Sequence, residues 1–223
     1  MHKLFSLPLI AAGIAGVGLA GAARAQSVSD PRWYIGGALG SADAHANKSD
    51  YADAQAGSST SFSHDGTPWK LYGGVQLTPN WGVEYGYARL GNYSNTYSLP
   101  ASGGYGVGSN KLSAWTVAGT GTWPVNNAFS LNAKLGIALL RNEYSFSGSG
   151  SGTGYASGDN GSDRTANLLV GFGAKYDVTK EWAIRFDYEN YGKVGKSTNN
   201  LTTLGATGVA KPSMLSAGVQ YSF

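Results

Sequence analysis

One pattern constrains this chain more than any other: apolar and small or polar residues alternate with a period of two, in eight segments of roughly ten residues. In the last segment Leu215, Ala217, Val219, Tyr221 and Phe223 share one face, while Ser216, Gly218, Gln220 and Ser222 share the other. The segment before it sets Trp182, Ile184, Phe186 and Tyr188 against Ala183, Arg185, Asp187 and Glu189. The same grammar recurs from Trp33, Trp69, Trp81, Trp115, Phe129 and Leu168 onward. Three connections are short, at Thr78-Pro79-Asn80, Pro124 to Asn127 and Asp177 to Glu181. The other four are long, at 41–67, 91–110, 145–162 and 192–212, and long and short strictly alternate. This predicts an all-β fold, an eight-stranded antiparallel up-and-down β-barrel. Short turns at one end and long extracellular loops at the other are the arrangement of a transmembrane barrel in an outer membrane. A soluble carrier barrel has the same strand count with its apolar face turned inward, and periodicity alone does not say which face points in.

Three features favour the membrane. Trp33, Trp81, Trp123 and Trp182 fall at the short-turn ends of their strands, and Trp69 and Trp115, with Tyr87 and Tyr188, fall near the other ends. Two aromatic girdles flanking an aliphatic band match the two faces of a bilayer. The polar face carries charge and glycine together, as a narrow lumen filled by side chains requires. The chain also closes on Gln220-Tyr221-Ser222-Phe223, and a terminal aromatic after an alternating strand resembles the signal read by the barrel assembly machinery, which marks Tyr221 and Phe223.

Residues 1–25 read as a secretory signal peptide: a positive start at Lys3, an apolar run from Leu4 to Ala20, and Ala23-Arg24-Ala25 before the cleavage point. The barrel domain is then 26–223, and the mature protein is exported. No stretch after Gln26 reaches the 18 apolar residues of a membrane helix. The formal charge of +3 shrinks once Lys3 and Arg24 are set aside with the leader, leaving no basic face for nucleic acid. Zero cysteines exclude disulfides, thiolate metal sites and thiol chemistry.

The residues that carry the pattern resemble the transmembrane barrel of the outer membrane protein A family. They are Trp33-Tyr34-Ile35-Gly36, Gly73 through Pro79, Val83-Glu84-Tyr85-Gly86-Tyr87 with Leu90-Gly91, Ala133-Lys134-Leu135-Gly136, Ala183 through Tyr188, and Met214 through Val219. The resemblance spans Trp33 to Phe223 and sits in strands and short turns, not in the long loops. It implies a small barrel in the Gram-negative cell outer membrane, serving envelope integrity and surface interaction, or a narrow gated porin-like channel. Full-length relatives often continue into a peptidoglycan-binding domain, and since this chain ends with the barrel, cell-wall anchoring is not carried over.

The resemblance also places an interior carboxylate at Glu84, a guanidinium at Arg185 and a base at Lys134, while two interior charges of the family align with Thr120 and Lys175 instead. Glu84, Lys134, Lys175, Arg185 and Asp187 form the candidate interior cluster, expected as a single layer. It is either a plug of salt bridges or an altered gate, because charges in a narrow lumen must pair. Enzyme chemistry finds little support. His45 and His64 both lie in the first long loop, with no arranged partner for a catalytic base. The loop acids Asp43, Asp50 and Asp53 match no metal-ligand spacing, and no motif asks for a cofactor. Loop aromatics such as Tyr51, Phe62, Tyr93, Tyr97, Tyr105, Phe146 and Tyr155, among Ser, Gly and Asn, suit contacts with host or phage surface ligands, or packing on lipopolysaccharide.

Overall fold

The computed structural model describes residues 31–43, 59–99, 104–149, 160–193 and 211–223. Within them the chain forms β1 (Arg32–Asp43), β2 (Ser59–Asp65), β3 (Trp69–Gln76), β4 (Trp81–Leu99), β5 (Gly104–Pro124), β6 (Phe129–Ser149), β7 (Asn160–Asp177), β8 (Trp182–Asn190) and β9 (Ser213–Ser222). All pairings are antiparallel. β1 pairs with β3 on one side and β9 on the other, and β3 through β9 pair in chain order, so the sheet closes into an eight-stranded barrel. β2 stands outside that count. Among the described residues it pairs with the far half of β4 alone, continuing the line of β3 across a break where Gly66 takes φ +90°. Residues 1–30, which include the expected signal peptide, lie outside the described residues.

The three short turns share one device. In each, two successive N–H groups donate to the carbonyl of the residue that opens the next strand, as Leu77 and Thr78 do to Trp81 at 2.9 and 3.0 Å. A side chain at the second position then accepts from the backbone at the end of the turn. Thr78 Oγ1 accepts from Trp81 N at 3.0 Å, Asn126 Oδ1 from Phe129 N at 2.8 Å, and Thr179 Oγ1 from Trp182 N at 3.0 Å. Thr and Asn belong there because a short polar side chain can satisfy N–H groups that a tight turn leaves without ladder partners.

The long connections differ from the expectation. β4, β5, β6 and β7 run for 19, 21, 21 and 18 residues, while β8 and β9 have 9 and 10. About 9–11 residues cross a bilayer as a tilted strand. Much of 91–110 and 145–162, expected as loop, is therefore paired β-ladder standing beyond the membrane. Their Gly, Ser and Tyr content gives neither face a hydrophobic preference, so alternation carried no signal there, yet the backbone ladder continues. Residues 100–103, 150–159 and most of the first and last long connections lie outside the described residues.

Face orientation resolves the choice left open by periodicity. Leu39, Trp81, Trp115, Leu135, Phe172 and Leu215 are each more than 60% exposed, all pointing out of the barrel. Their small and polar neighbours point in and are buried. Glycine makes the lumen fit: a Cβ on Gly36 would lie 2.4 Å from the Tyr72 ring, and one on Gly74 would lie 2.5 Å from Tyr34 Oη. The interior is not uniformly polar, however. Leu90, Leu112, Leu140, Leu169, Tyr191 and Met214, with Ala88, Ala114 and Ala138, form a dry cluster in the half toward the long strands. A bulge in β4 sets both Leu90 and Gly91 opposite Leu112 at this level.

Candidate functional site

Below the apolar layer the lumen holds three cations and three anions: Lys70, Lys134 and Arg185 against Glu84, Asp187 and Glu189. Each comes from an inward position of its strand, β3, β4, β6 or β8, and all are at most 6% exposed. Lys70 Nζ donates to Asp187 Oδ2 at 2.9 Å and to Glu189 Oε2 at 2.8 Å. Lys134 Nζ lies 2.7 Å from Glu84 Oε1 and donates to Glu189 Oε1 at 2.6 Å. Arg185 donates Nη1 to Glu84 Oε2 at 2.7 Å and Nη2 to Asp187 Oδ1 at 3.2 Å.

Three tyrosines complete the cage. Tyr34 Oη donates to Glu84 Oε2 at 3.0 Å, and Tyr191 Oη to Glu189 Oε2 at 3.0 Å. The Tyr72 ring lies among all three cations, with the Arg185 guanidinium 4.5 Å from its centroid and Lys70 and Lys134 at 5.6 and 5.8 Å. Every carboxylate has at least two partners, which offsets the several kcal/mol that burying each ion costs. A polar cavity of about 40 Å³, enough for a few waters, lies on the short-turn side between Gln76, Thr120, Asn132, Lys175 and Gln220.

The expected cluster is thus partly reassembled. The structure brings Glu84, Lys134, Arg185 and Asp187 together, adds Lys70 and Glu189, and leaves Lys175 out. Lys175 pairs in register with Arg185, and like charges directly opposite one another repel. Its ammonium turns to the barrel mouth instead, 3.0 Å from Asp177, with the side chain 26% exposed. Nor is the cage a single layer. Arg185, Asp187 and Glu189 occupy successive inward positions of β8 and step up the lumen.

Alternation in sequence turns Lys70 and Glu189 inward but does not pair them. They lie 119 residues apart, and only the tilt of strands around the barrel brings them to one depth.

The aromatic positions fall into two groups. Trp33, Trp81, Trp123 and Trp182 are all outward and at least half exposed at the short-turn ends. At the other boundary Trp69, Tyr87 and Trp115 form a chain of rings with centroids 5.7 and 4.8 Å apart. Tyr221 packs between Trp182 at 5.0 Å and Phe223 at 6.1 Å. Phe223 also finishes the seam: its N–H donates to Trp33 O at 2.9 Å and its carbonyl accepts from Trp33 N at 3.2 Å. His45 lies outside the described residues, and His64 is a β2 residue opposite Tyr93 in the strand register.

A closed barrel with an apolar outer band, two aromatic girdles and a charged, side-chain-filled lumen defines a small outer-membrane β-barrel protein. Residues 28–223 match the family model described as the OmpA-like transmembrane domain. The chain belongs to that family. It is 30% identical over 220 residues to outer membrane protein A of Yersinia pseudotuberculosis, covering 96% of this chain and 54% of that protein. For outer membrane protein A of Serratia marcescens the identity is 28% over 217 residues, with 96% and 55% covered. The chain therefore spans about half the length of the curated relatives it matches. Among solved structures, the outer membrane protein OprG of Pseudomonas aeruginosa superposes with a TM-score of 0.50 at 14% identity. That match covers 88% of this chain and 97% of that one, a likeness of fold.

Proposed function

We propose that this barrel is a structural element of the outer membrane that holds a rigid β-wall outside the cell for surface contact. The observation that carries this reading is the overshoot of β4 to β7, whose 18 to 21 residues are about twice what a bilayer needs. Hydrogen-bonded ladders, not open loops, present side chains such as Thr96, Ser145, Ser147, Asn160 and Ser162 to the exterior. The filled lumen supports a structural role over passage: an ion-pair cage and a dry leucine layer lie in series along the axis. Tyr221 and Phe223, stacked on the last strand, serve the assembly machinery in this reading, and the loop surfaces take host or phage ligands.

The chain has no cysteine, so single thiols report topology without background. Ser147→Cys, exposed on the β6 overhang, should react with a membrane-impermeant maleimide on intact cells. Val125→Cys, exposed in a short turn, should react only after the outer membrane is opened. Labelling of both on intact cells contradicts the assigned orientation. Planar-bilayer recordings of wild type and Glu84→Ala test the closed lumen: steps in conductance that grow in the variant would replace the structural reading with a gate.

A further inference from the structure

The cage does not use the cations on the outer surface of the barrel. The strand registers align Arg89 of β4 with Ser113 of β5, Ser113 with Arg141 of β6, and Arg141 with Arg164 of β7. One rung nearer the membrane the same register reads Tyr87, Trp115, Leu139 and Ala166, with Trp115 and Leu139 lipid-facing. Lys111 lies one rung further out. Arg89, Lys111, Arg141 and Arg164 are all exposed. The cationic row thus sits where the apolar band ends, at the headgroup boundary of the leaflet toward the β-wall.

A second observation points to a ligand. Arg141 and Arg164 are direct cross-strand partners on one face, an arrangement that repels unless an anion lies between them. Two acids stand one rung further out: Glu143 pairs with Arg141 at 2.8 Å and stands opposite Lys111 in register, and Asp65 of β2 holds the same rung beyond Asn92, away from Arg164. Asp163 of β7 does not help, because it is the partner of buried, inward-facing Asn142. Arg164 has no ion-pair partner among the described residues. The opposite end of the barrel lacks this bias, since Arg32, Lys175 and Lys180 stand there with Asp177 and Glu181.

We propose that Arg141 and Arg164, flanked by Lys111 and Arg89, form a binding site for the phosphate groups of the outer-leaflet glycolipid, whose acyl chains lie on the Trp115–Leu139 surface below. Arginine suits this task because its planar fork takes phosphate oxygens bidentately. A phosphate seated between the two guanidinium groups removes their repulsion, so the site is both a ligand site and a latch that sets the depth of the wall. The proposal depends on membrane placement alone and not on any loop ligand.

The test is native mass spectrometry of the folded barrel in neutral detergent, titrated with bisphosphorylated lipid A. Wild type should bind this lipid about tenfold or more tightly than the same lipid stripped of its phosphates, as loss of paired charge-assisted contacts implies. Arg141→Gln/Arg164→Gln should lose that preference, while Lys180→Gln at the other end should keep it. Heat-modifiable gel migration checks that each variant is folded. Equal binding of phosphorylated and stripped lipid by wild type overturns the proposal, as does full retention by the double variant. Displacement of the lipid by millimolar inorganic phosphate overturns the lipid assignment and leaves a free-phosphate site.

Discussion

Replacing Lys70 by Met is the most direct probe of whether the lumen charges act as one unit. Lys70 is 4% exposed and bonds Asp187 and Glu189 at 2.9 and 2.8 Å. Met keeps most of the stem volume, so packing changes little, but the cage passes from three cations and three anions to two and three. Asp187 keeps Arg185 at 3.1 Å and a longer contact with Lys134 at 3.7 Å, while Glu189 keeps Lys134 at 2.6 Å. Removing one member of a buried ion pair costs about 3–5 kcal/mol, because the partner stays buried without its counter-charge. Glu189→Gln in the same chain restores the balance: its amide oxygen, in the place of Oε1, can still accept from Lys134, and its NH2, in the place of Oε2, can donate to the Tyr191 hydroxyl oxygen. The double variant should therefore lie within about 1–2 kcal/mol of wild type, recovering about 2–3 kcal/mol of the Lys70→Met loss. Urea unfolding from phospholipid vesicles measures this through six tryptophans that leave the lipid-facing surface when the barrel opens. A loss below about 1 kcal/mol for Lys70→Met, or a double variant that sums the two single losses, would refute the argument.

Two further perturbations separate the other layers of the fold. Leu140→Ala in the dry cluster, where Leu140 is 1% exposed, should cost about 2–5 kcal/mol in the same unfolding measurement, as cavity-forming core truncations do. Asn126→Ala removes the acceptor for Ala128 N and Phe129 N at 2.9 and 2.8 Å in an exposed turn, so it should cost only about 1 kcal/mol. A larger loss for Asn126→Ala than for Leu140→Ala would mean that turn closure, not lumen packing, dominates stability.

The barrel was readable from sequence because a membrane barrel exposes its pattern at every second residue and marks both boundaries with rings. Trp33 and Trp182 at one end and Trp115 at the other are enough to assign strand direction. The cage was less readable, because alternation says that Lys70 and Glu189 face inward but not that they meet. Meeting depends on stagger accumulated across strands, a property of the closed sheet and of no single segment. Lys175 shows the converse error. Counting residues from strand ends puts it beside Arg185, and the register agrees, yet charge sends its ammonium the other way. The leucine layer is hidden in the sequence for a different reason. Leu90, Leu112, Leu140 and Leu169 sit at inward positions near segment ends, where aliphatic residues read as the edge of a strand and not as its core.

A structural role for the charges follows from what a register error would do. Side chains alternate across a strand, so a slip of one residue moves every inward group to the lipid face. For β8 that slip would put Arg185, Asp187 and Glu189 into the bilayer together, and on the lipid face of a barrel an Arg costs up to about 2–4 kcal/mol near the midplane, with Asp and Glu costing less. Leucine would not impose this penalty, because an apolar residue is tolerated on either face. The alternation of lipid-facing residues therefore selects the inward face, and the charges hold each strand to one register within it. The overhanging ladders need that certainty most. Among the described residues β7 pairs beyond the membrane with β6 alone, since β8 joins it only from Val170 inward, so its far end inherits its position from the register fixed below. A slip of β8 against β7 at the cage would shift the outer wall relative to the last strands, and the ion pairs that Arg185, Asp187 and Glu189 would lose oppose it.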